Sequence, residues 1–226
     1  MAAPFLGIPT KECEYFTAGN SRNGCTLSDT YPLAPNGVYW TINGEGAHSG
    51  QPMVFLRLAG CSVRCPECDT DYSVAEQVSL AGLAIRVRSA APAVFHSTKP
   101  WVWITGGEPT DHDLQPLIDA LQPWRVALAE SGHNGQQHFD GLSWRSVSPH
   151  RRIEGLYGSE VKMIPRLGSL TWSDVEDHAM WATNFAYRWV QPLAGSTDEQ
   201  QRCIDFCLRT PGVQMSSQAH LGWNIP

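Results

Sequence analysis

The stretch Cys61-Ser62-Val63-Arg64-Cys65-Pro66-Glu67-Cys68 decides how this chain folds. Its three cysteines have the spacing C-x3-C-x2-C and directly follow an apolar, strand-like segment at residues 53–59. A structural zinc site normally has four protein ligands. An iron–sulfur cluster held by three thiolates keeps one iron open, and that iron can bind a small molecule and promote chemistry on it. The spacing therefore indicates a cluster, and a zinc knuckle completed by a distant ligand is the alternative.

Composition limits the class of protein. The chain has 226 residues, of which 42% are hydrophobic, and nine tryptophans, which together predict one globular domain over residues 1–226. The net charge of −6 argues against a nucleic-acid-binding surface. No run approaches the ~18 apolar residues needed to cross a membrane, and the N-terminus lacks the basic region of a signal peptide. Seven cysteines, an odd number, fit a reducing compartment. We expect a cytoplasmic protein with neither nucleic acid nor membrane as a partner.

The apolar pattern predicts strands that alternate with helices. Strands are predicted at residues 37–42, 53–59, 101–105, 125–129, 142–148, 160–164 and 187–191. Helices are predicted at residues 111–121 with Thr110 as N-cap, at 173–182 with Ser173 and Glu176 as a capping box, and at 197–209. Such alternation is typical of a parallel sheet covered by helices. About six βα units predict an α/β fold of the partial (β/α)6 barrel type, with the chemistry at the carboxyl ends of the strands.

Two segments lie outside this alternation. Residues 9–36, rich in Gly, Ser, Asn and Pro, predict an irregular N-terminal loop insertion. Its Cys13 and Cys25 lack a CxxC spacing, which favours structural thiols over metal ligands. Residues 213–226 predict a last extended segment and a C-terminal tail. Cys203 and Cys207, four residues apart on a predicted helix, share one face and are expected in the core.

A second motif, Gly106-Gly107-Glu108-Pro109, follows the predicted strand at residues 101–105. Two glycines let the backbone approach a ligand closely, and Glu108 adds a carboxylate that can meet an ammonium group. Taken alone, the motif could be an ordinary turn between a strand and a helix. The pairing of this turn with a three-cysteine loop about 40 residues earlier resembles the radical S-adenosylmethionine (SAM) enzymes, and this resemblance favours a site for the amino group of SAM.

Polar residues beside the cysteines extend the candidate site. Arg57 is predicted to share a strand face with Phe55, and a buried guanidinium requires a carboxylate partner. That partner is either a ligand in the barrel mouth or another side chain of the protein. Asp69 and Thr70 offer the hard oxygen ligands that Mg²⁺ prefers, although Asp-Thr is also a common turn.

These motifs together resemble the radical SAM enzymes and, within them, the 7-carboxy-7-deazaguanine synthase family. The resemblance runs from about Val38 to the C-terminus. It rests on the Gly-Glu-Gly opening, the Phe-x-Arg-x-x-Gly-Cys and Cys-Asp-Thr elements, the Gly-Gly-Glu-Pro turn and four later segments. In this sequence they are residues 39–46, 55–61, 68–70, 106–109, 146–149, 160–162, 190–193 and 218–226.

The resemblance implies a Mg²⁺-dependent ring contraction of 6-carboxy-5,6,7,8-tetrahydropterin to 7-carboxy-7-deazaguanine, with release of ammonia. It implies a [4Fe-4S] cluster bound by Cys61, Cys65 and Cys68, which with Arg57 form the catalytic set, and Mg²⁺ held by Thr70. The residues expected to hold SAM are Gly106, Gly107, Glu108, Ser148 and Gln191. Those expected to bind substrate are Ile42, Gly44, Glu45, Arg57, His220 and Pro226, with the tail folding back so that its terminal carboxylate meets the pterin. The implied partners are an external electron donor such as flavodoxin and a second copy of the chain in a homodimer.

The sequence departs from the family pattern at three places. The usual Glu-Thr-Asn-Gly-Thr strand end is replaced by residues 129–133, Ala-Glu-Ser-Gly-His, so that its carboxylate is either lost at Ala129 or displaced to Glu130. His150 stands where the family has a lysine after Ser-Pro, and Asn43 stands where a glutamine is usual. These changes affect the expected contacts to SAM and substrate rather than the reaction class.

Two other functions remain compatible with the sequence. One is a different radical SAM activity, such as activation of a glycyl-radical partner or modification of a peptide. The other is a non-enzymatic zinc-binding module, in which Gly106 to Pro109 would be only a turn. About four irons and four sulfides per chain would exclude zinc, and turnover of a small molecule would separate the first two functions.

Overall fold

The computed structural model describes residues 30–68, 70–177, 184–193 and 196–226. Over these residues a single sheet has the strands β1 (Thr30–Ile42), β2 (Pro52–Leu58), β3 (Glu76–Ser79), β4 (Trp101–Gly106), β5 (Arg125–Glu130), β6 (Leu142–Val147), β7 (Gly158–Met163), β8 (Phe185–Val190) and β9 (Gln214–Met215). Their order is β3-β1-β2-β4-β5-β6-β7-β8-β9. Strand β2 and strands β4 to β9 are parallel, whereas β1 is antiparallel to both β2 and β3. The predicted α/β fold with a mostly parallel sheet is confirmed, and the sheet is open, with β3 and β9 at its edges.

Helices connect the parallel strands. They are α1 (Leu80–Ala90), α2 (Gln115–Leu121), α3 (Trp172–Glu176), α4 (Thr197–Arg209) and α5 (Ala219–Trp223). Single 3-10 turns occur at Gly46–His48, Ala93–Thr98 and Pro109–Asp111. Side-chain oxygens of Ser79, Thr171 and Ser196 accept from the N–H groups that begin α1, α3 and α4, which satisfies donors that no helical carbonyl can reach.

The outer face of the sheet carries most of the apolar core. Alternate side chains of β2, β4 and β5, among them Val54, Val102 and Val126, pack with Leu83 of α1 and Leu117 of α2. A second cluster joins β7 and β8 to α3 and α4. Val54, Leu56 and Leu58 lie in this outer core, whereas Phe55 packs on the opposite side. The opposite side, called the inner face below, holds Met53, Trp101, Trp103, Ala127, Trp144 and Phe55.

The connection between β1 and β2 crosses the inner face. This segment, residues 43–51 and called the hairpin loop below, is closed by two backbone bonds between Asn43 and its far end, Asn43 N to Gln51 O at 2.9 Å and Gly50 N to Asn43 O at 2.8 Å. Its His48 packs edge-on against Trp101 and Trp144, with ring centroids 4.6 and 4.5 Å away. Because β1 and β7 stand far apart in the strand order, a loop that reaches from one to the other covers the face that the open sheet exposes.

The predicted boundary of the N-terminal insertion is wrong. Residues 30–36 form the first part of β1, and Ala59 N donates to Pro32 O at 2.8 Å. The pairing of β1 with β2 shifts register between Leu33 and Val38, and Asn36 there has a φ of 52°. A bulge of this kind breaks the alternation of side chains, which explains why the sequence pattern hid the strand. The two cysteines at positions 13 and 25 lie outside the described residues.

The predicted start of the helix at residues 111–121 is also wrong. The hydroxyl of Thr110 donates to the Glu108 carboxylate at 2.7 Å instead of capping a helix. A 3-10 turn, Pro109–Asp111, occupies this position, and α2 begins only at Gln115. Pro116 in the first turn fits a helix start, because its missing N–H has no helical partner there.

Two later elements differ from prediction, and two earlier ones, β3 and α1, were missed. The capping box of α3 is formed by Thr171 and Asp174 rather than by Ser173, and the predicted end of this helix lies outside the described residues. The last extended segment is only the two residues of β9, and α5 then begins at Ala219. Strand β3 and helix α1 were not assigned from the sequence, although the Ser79 cap before α1 was a usable signal. The helix at 197–209 is confirmed, and Cys203 lies in its core face.

No helix in the described part of the chain is long and apolar enough to span a membrane.

Candidate active site

The cysteine loop leaves the carboxyl end of β2 and is anchored to the loop after β4. Ser62 donates to the Asp111 carboxylate from its backbone N and its hydroxyl, each at 2.7 Å, and Asn134 Nδ2 donates at 2.8 Å. Burial raises the pKa of Asp111, but these hydrogen bonds outweigh it and hold the pKa below its ordinary value. The loop is therefore fixed by an ionised carboxylate.

The three cysteines of this loop are free thiols. Cys61 and Cys65 are half-buried and Cys68 is exposed. Burial, together with the neighbouring thiols Cys68 and Cys61, raises the pKa of Cys65 to about 11. The Cys65 Sγ lies 2.8 Å from Nδ1 of His150, which follows β6. Binding of iron must therefore displace a proton from Cys65, as is general for thiolate ligands.

The donor set fits an iron–sulfur cluster. Three unpaired thiols on one short loop, at the carboxyl edge of the sheet, supply three of the four cluster ligands and leave one iron open. Across the described ranges, no group of three or more His, Cys, Asp or Glu side chains is already arranged around a common metal position. The assignment therefore rests on the loop and the chemistry of its donors.

The Gly-Gly-Glu-Pro turn is fastened directly to the cysteine loop. Gly107 N donates to Leu58 O at 2.9 Å, and Glu108 N donates to Gly60 O at 3.1 Å. A Cβ on Gly107 would overlap the Gly60 carbonyl, so the two loops can meet this closely only at a glycine. The two sequence motifs thus form one structural unit.

Glu108 joins the Gly-Gly-Glu-Pro turn to the loop after β5 through its carboxylate. The side chain is 2% exposed; Oε1 accepts from the Thr110 N and hydroxyl at 3.2 and 2.7 Å. Oε2 accepts from the Ser131 N and hydroxyl at 3.0 and 2.5 Å. A carboxylate has about four acceptor positions, and all four are used here. The structure therefore gives Glu108 a positioning role, and its contact with a SAM amino group stays a prediction.

A cavity of about 310 Å³ opens beside the cysteine loop. It is lined by loop residues after β2, β5, β6 and β7, including Arg64, Cys65, Ser131, His133, His150 and Ser169. Gly106, Gly107, Ser148 and Gln191, which the sequence predicted as SAM contacts, do not line it. In the sequence, Ser131, His133 and His150 stand out only as departures from the family pattern. Those departures are the sequence feature that points to this side of the cavity.

The carboxylate that the family carries after β5 is not displaced into the cavity. Ala129 packs on the inner face, while Glu130 is buried and paired with Arg145 Nη1 at 2.7 Å. Burial raises the pKa of Glu130, and the hydrogen bond from Gln136 at 2.9 Å lowers it only in part. Ser148, predicted to hold SAM, is half-buried, and its backbone N donates to Glu130 O at 2.8 Å.

A second polar cluster surrounds Glu45 of the hairpin loop. Lys162 Nζ of β7 donates to Glu45 Oε2 at 2.5 Å, and Gln191 Nε2, just after β8, donates to Oε1 at 3.2 Å. Burial raises the pKa of Glu45, but the Lys162 ammonium, with smaller contributions from His220 and Gln191, brings it below its ordinary value. The carboxylate is therefore ionised in a largely enclosed position. The Gln191 side chain belongs to this cluster.

Glu160 of β7 binds the backbone of the hairpin loop. It is 1% exposed, and its Oε2 accepts from Ala47 N and from Trp189 Nε1, both at 2.9 Å. Gly46 lies directly over this carboxylate, where a Cβ would come within 2.6 Å of Oε2. Glu160 thus holds the backbone of the hairpin loop, and Lys162 holds the Glu45 side chain of the same loop. Both residues belong to β7.

The C-terminal tail lies against the hairpin loop. Ala219 N donates to Gly44 O at 3.1 Å, and a Cβ on Gly44 would come within 2.5 Å of His220 N. Ser216 joins the two clusters, because its hydroxyl accepts from Gly46 N at 3.1 Å and donates to Gln191 Oε1 at 2.8 Å. The predicted substrate residues Gly44, Glu45 and His220 are therefore brought together.

The remaining predicted site residues lie outside the Glu45 cluster. Ile42 is 41% exposed at the end of β1, and Pro226 is exposed beyond α5. Arg57 is half-buried on the face it shares with Phe55, and within the described ranges it has no ion-pair partner. Thr70 is half-buried, and its carbonyl lies 3.8 Å from Cys68 Sγ, whereas the preceding aspartate is outside the described residues.

The chain is similar in sequence and in fold to known enzymes. No family model matches the chain. A 7-carboxy-7-deazaguanine synthase of Bradyrhizobium diazoefficiens is 30% identical over 208 residues, covering 83% of this chain and 96% of the relative. The enzyme of the same name from Burkholderia multivorans is 29% identical over 210 residues, covering 84% and 97%. The crystal structure of QueE from Escherichia coli matches with a TM-score of 0.64 at 26% identity, covering 83% of this chain and 93% of that one.

An open, mostly parallel sheet with a three-thiol loop at its carboxyl edge is the architecture of the radical SAM enzymes, and this chain is of that class. Its relatives narrow the class further. The chain belongs to the 7-carboxy-7-deazaguanine synthase family. It is therefore an enzyme, a lyase of deazapurine biosynthesis that uses a [4Fe-4S] cluster and SAM.

Proposed function

We propose that this chain converts 6-carboxy-5,6,7,8-tetrahydropterin to 7-carboxy-7-deazaguanine with release of ammonia. The observation that carries the proposal is the position of Glu45. The hairpin loop brings this ionised carboxylate across the inner face to Lys162 and Gln191, at the carboxyl edge where the cysteine loop also lies. The arrangement provides a polar recognition site beside a cluster site.

Cys61, Cys65 and Cys68 would hold the cluster, and the cavity beside Cys65 would receive SAM. When bound, the cluster and SAM supply the radical that removes a hydrogen atom from the substrate. The protein contributes position and shielding. Gly106 and Gly107 bring the backbone against the cysteine loop, and the four hydrogen bonds of the Glu108 carboxylate tie this turn to Ser131 after β5. We assign SAM contacts to the backbone of residues 106–108, to Ser148 and to the cavity wall.

Glu45 would recognise the donor-rich edge of the pterin, because an ionised carboxylate accepts two parallel N–H bonds. Gln191 and Lys162 keep it oriented and charged. Arg57 would meet the substrate carboxylate, since its guanidinium lies half-buried on the inner side without an ion pair among the described residues. His220, held over Gly44, would close the site from the tail.

Thr70 is proposed to ligate Mg²⁺ beside the substrate carboxylate. Magnesium usually keeps several waters and takes only one or two protein oxygens, so a single threonine next to the cysteine loop fits this role. A homodimer, an external electron donor such as flavodoxin and a cytoplasmic location are proposed from the family resemblance. The exposure of Cys68 supports the donor, because an electron carrier needs access to the cluster.

A different radical SAM function on a protein or peptide is less compatible with the geometry. Such a substrate needs a wide opening to the inner face. Here the hairpin loop crosses that face, and the tail lies on the loop through Ala219 and His220. This covering of the inner face favours a small-molecule substrate.

The test is anaerobic turnover by cluster-reconstituted protein with SAM, Mg²⁺, a reductant and the tetrahydropterin, followed by mass spectrometry and ammonia determination. Loss of ammonia from the substrate with SAM recovered intact would establish the function. Cleavage of SAM without conversion of the pterin would contradict it and point to another substrate. Iron and sulfide analysis of the same sample, at about four of each per chain, separates a missing cluster from a wrong substrate.

A further inference from the structure

His150 is placed to act on the cluster site. It follows β6, and its Nδ1 lies 2.8 Å from Cys65 Sγ although the two residues are 85 positions apart. Its backbone is held as well, since Ser169 N donates to His150 O at 2.8 Å and a Cβ on Gly168 would come within 2.5 Å of that carbonyl. The backbone of His150 is thus held by residues 168–169, and its imidazole faces the cluster ligand Cys65.

The contact singles out Cys65. Cys68 Sγ lies 3.8 Å from the carbonyl oxygen of Thr70, and a carbonyl oxygen accepts hydrogen bonds but cannot donate one. Within the described ranges, Cys65 is therefore the only cluster cysteine whose sulfur is in hydrogen-bond contact with a side-chain nitrogen.

We propose that His150 Nδ1–H donates a hydrogen bond to Cys65 Sγ in the cluster-loaded protein and raises the reduction potential of the cluster. The inference rests on the proposed cluster site. Reduction adds negative charge to the cluster sulfurs, and a donor hydrogen bond stabilises that charge, so hydrogen bonds to the sulfurs tune the potential. His150 is a positioning residue in this role, because it acts through Cys65 and not on the substrate.

The experiment is a redox titration of the reconstituted protein without SAM, monitored by electron paramagnetic resonance, on the unmodified chain and on His150→Ala and His150→Gln. The alanine variant should have a more negative midpoint potential, because the donor is lost. The glutamine variant, which keeps an N–H donor, should lie between the two. The matched control is His133→Ala, since His133 lines the same cavity and, among the described residues, no hydrogen bond joins it to a cysteine. Its potential should be unchanged.

Equal potentials for the unmodified chain and His150→Ala would overturn the proposal. So would equal shifts for the alanine, glutamine and His133 variants, which would indicate a general change in the cavity. Iron and sulfide analysis of the unmodified chain tests the cluster itself, so failure of the proposed function is seen separately.

If His150→Ala binds no cluster, labelling of the cluster-free protein decides. Brief iodoacetamide treatment and peptide mass analysis should show a changed rate of alkylation of Cys65 in this variant, because the imidazole that contacts its sulfur is gone, with Cys61 and Cys68 unchanged. Unchanged labelling of Cys65 would show that the imidazole does not cover the thiol and would overturn the proposal.

Discussion

Lys162 Nζ lies 2.5 Å from Glu45 Oε2, and this ion pair joins the hairpin loop to β7 across the inner face. The two side chains are only 10% and 19% exposed. A lone carboxylate in such a place would favour its protonated form, since burial raises its pKa. The ammonium reverses this effect, so Glu45 is kept as an acceptor for a substrate that presents N–H groups.

Lys162→Met should lower stability and weaken substrate binding. Removing one partner of a buried pair leaves an uncompensated charge, which costs about 3 kcal/mol at this degree of burial. The pKa of Glu45 should rise, and the KM for the pterin should increase about tenfold or more. Urea unfolding and steady-state kinetics measure the two effects.

The matched control for Lys162→Met is Arg86→Met. The Arg86–Glu76 pair has the same 2.5 Å separation, but its side chains are 45% and 47% exposed. Exposed pairs contribute at most about 1 kcal/mol, so both stability and KM should remain near their original values. Equal losses in the two variants would contradict the role assigned to Lys162.

The ionisation of Glu45 should make stability depend on pH. Its pKa in the folded protein lies below the ordinary value of 4.5. A carboxyl group of this kind stabilises the fold above the unfolded-state pKa and loses that contribution as the pH falls through the folded-state pKa. The difference in unfolding free energy between the unmodified chain and Glu45→Gln should therefore be constant from neutral pH down to about 4.5 and shrink below it. Urea titrations at several pH values test this, and a difference that stays constant in acid would count against it.

Glu108→Gln should loosen the contact between the Gly-Gly-Glu-Pro turn and the loop after β5, on which the position of the cysteine loop depends through Asn134 and Asp111. All four acceptor positions of the Glu108 carboxylate face donors on Thr110 and Ser131. An amide NH₂ would place donor against donor on one side, at a cost of about 2 kcal/mol. We expect lower stability and a lower iron content after reconstitution. Glu154→Gln is the control, because that side chain is 76% exposed and its removal should change neither quantity. Full retention of stability in Glu108→Gln would refute the positioning role.

The sequence predicts the central strands and the two motifs, but not how distant segments meet. The apolar runs at residues 53–59 and 101–105 identify β2 and β4, because buried parallel strands are nearly continuous in apolar residues and these runs contain only Arg57 and Thr105 as polar residues. No local pattern could pair Glu45 with Lys162, which is 117 residues away. Glu108 was predicted as a ligand group, yet its hydrogen bonds to Ser131 depend on where β5 ends. Such contacts follow from strand order and loop packing.

Gly44→Ala should detach the C-terminal tail from the hairpin loop. A Cβ at Gly44 would overlap the backbone and imidazole of His220, and the loop backbone there is one that alanine can adopt. The tail must therefore move, and the cost of overpacking is about 1–3 kcal/mol. Hydrogen exchange of residues 214–226 should speed up, and the KM for the pterin should rise because His220 leaves the site. Gly222→Ala serves as the control within the same tail, since a Cβ there meets nothing within 4 Å. Unchanged exchange of the tail in Gly44→Ala would show that the contact between Gly44 and His220 does not hold it in place.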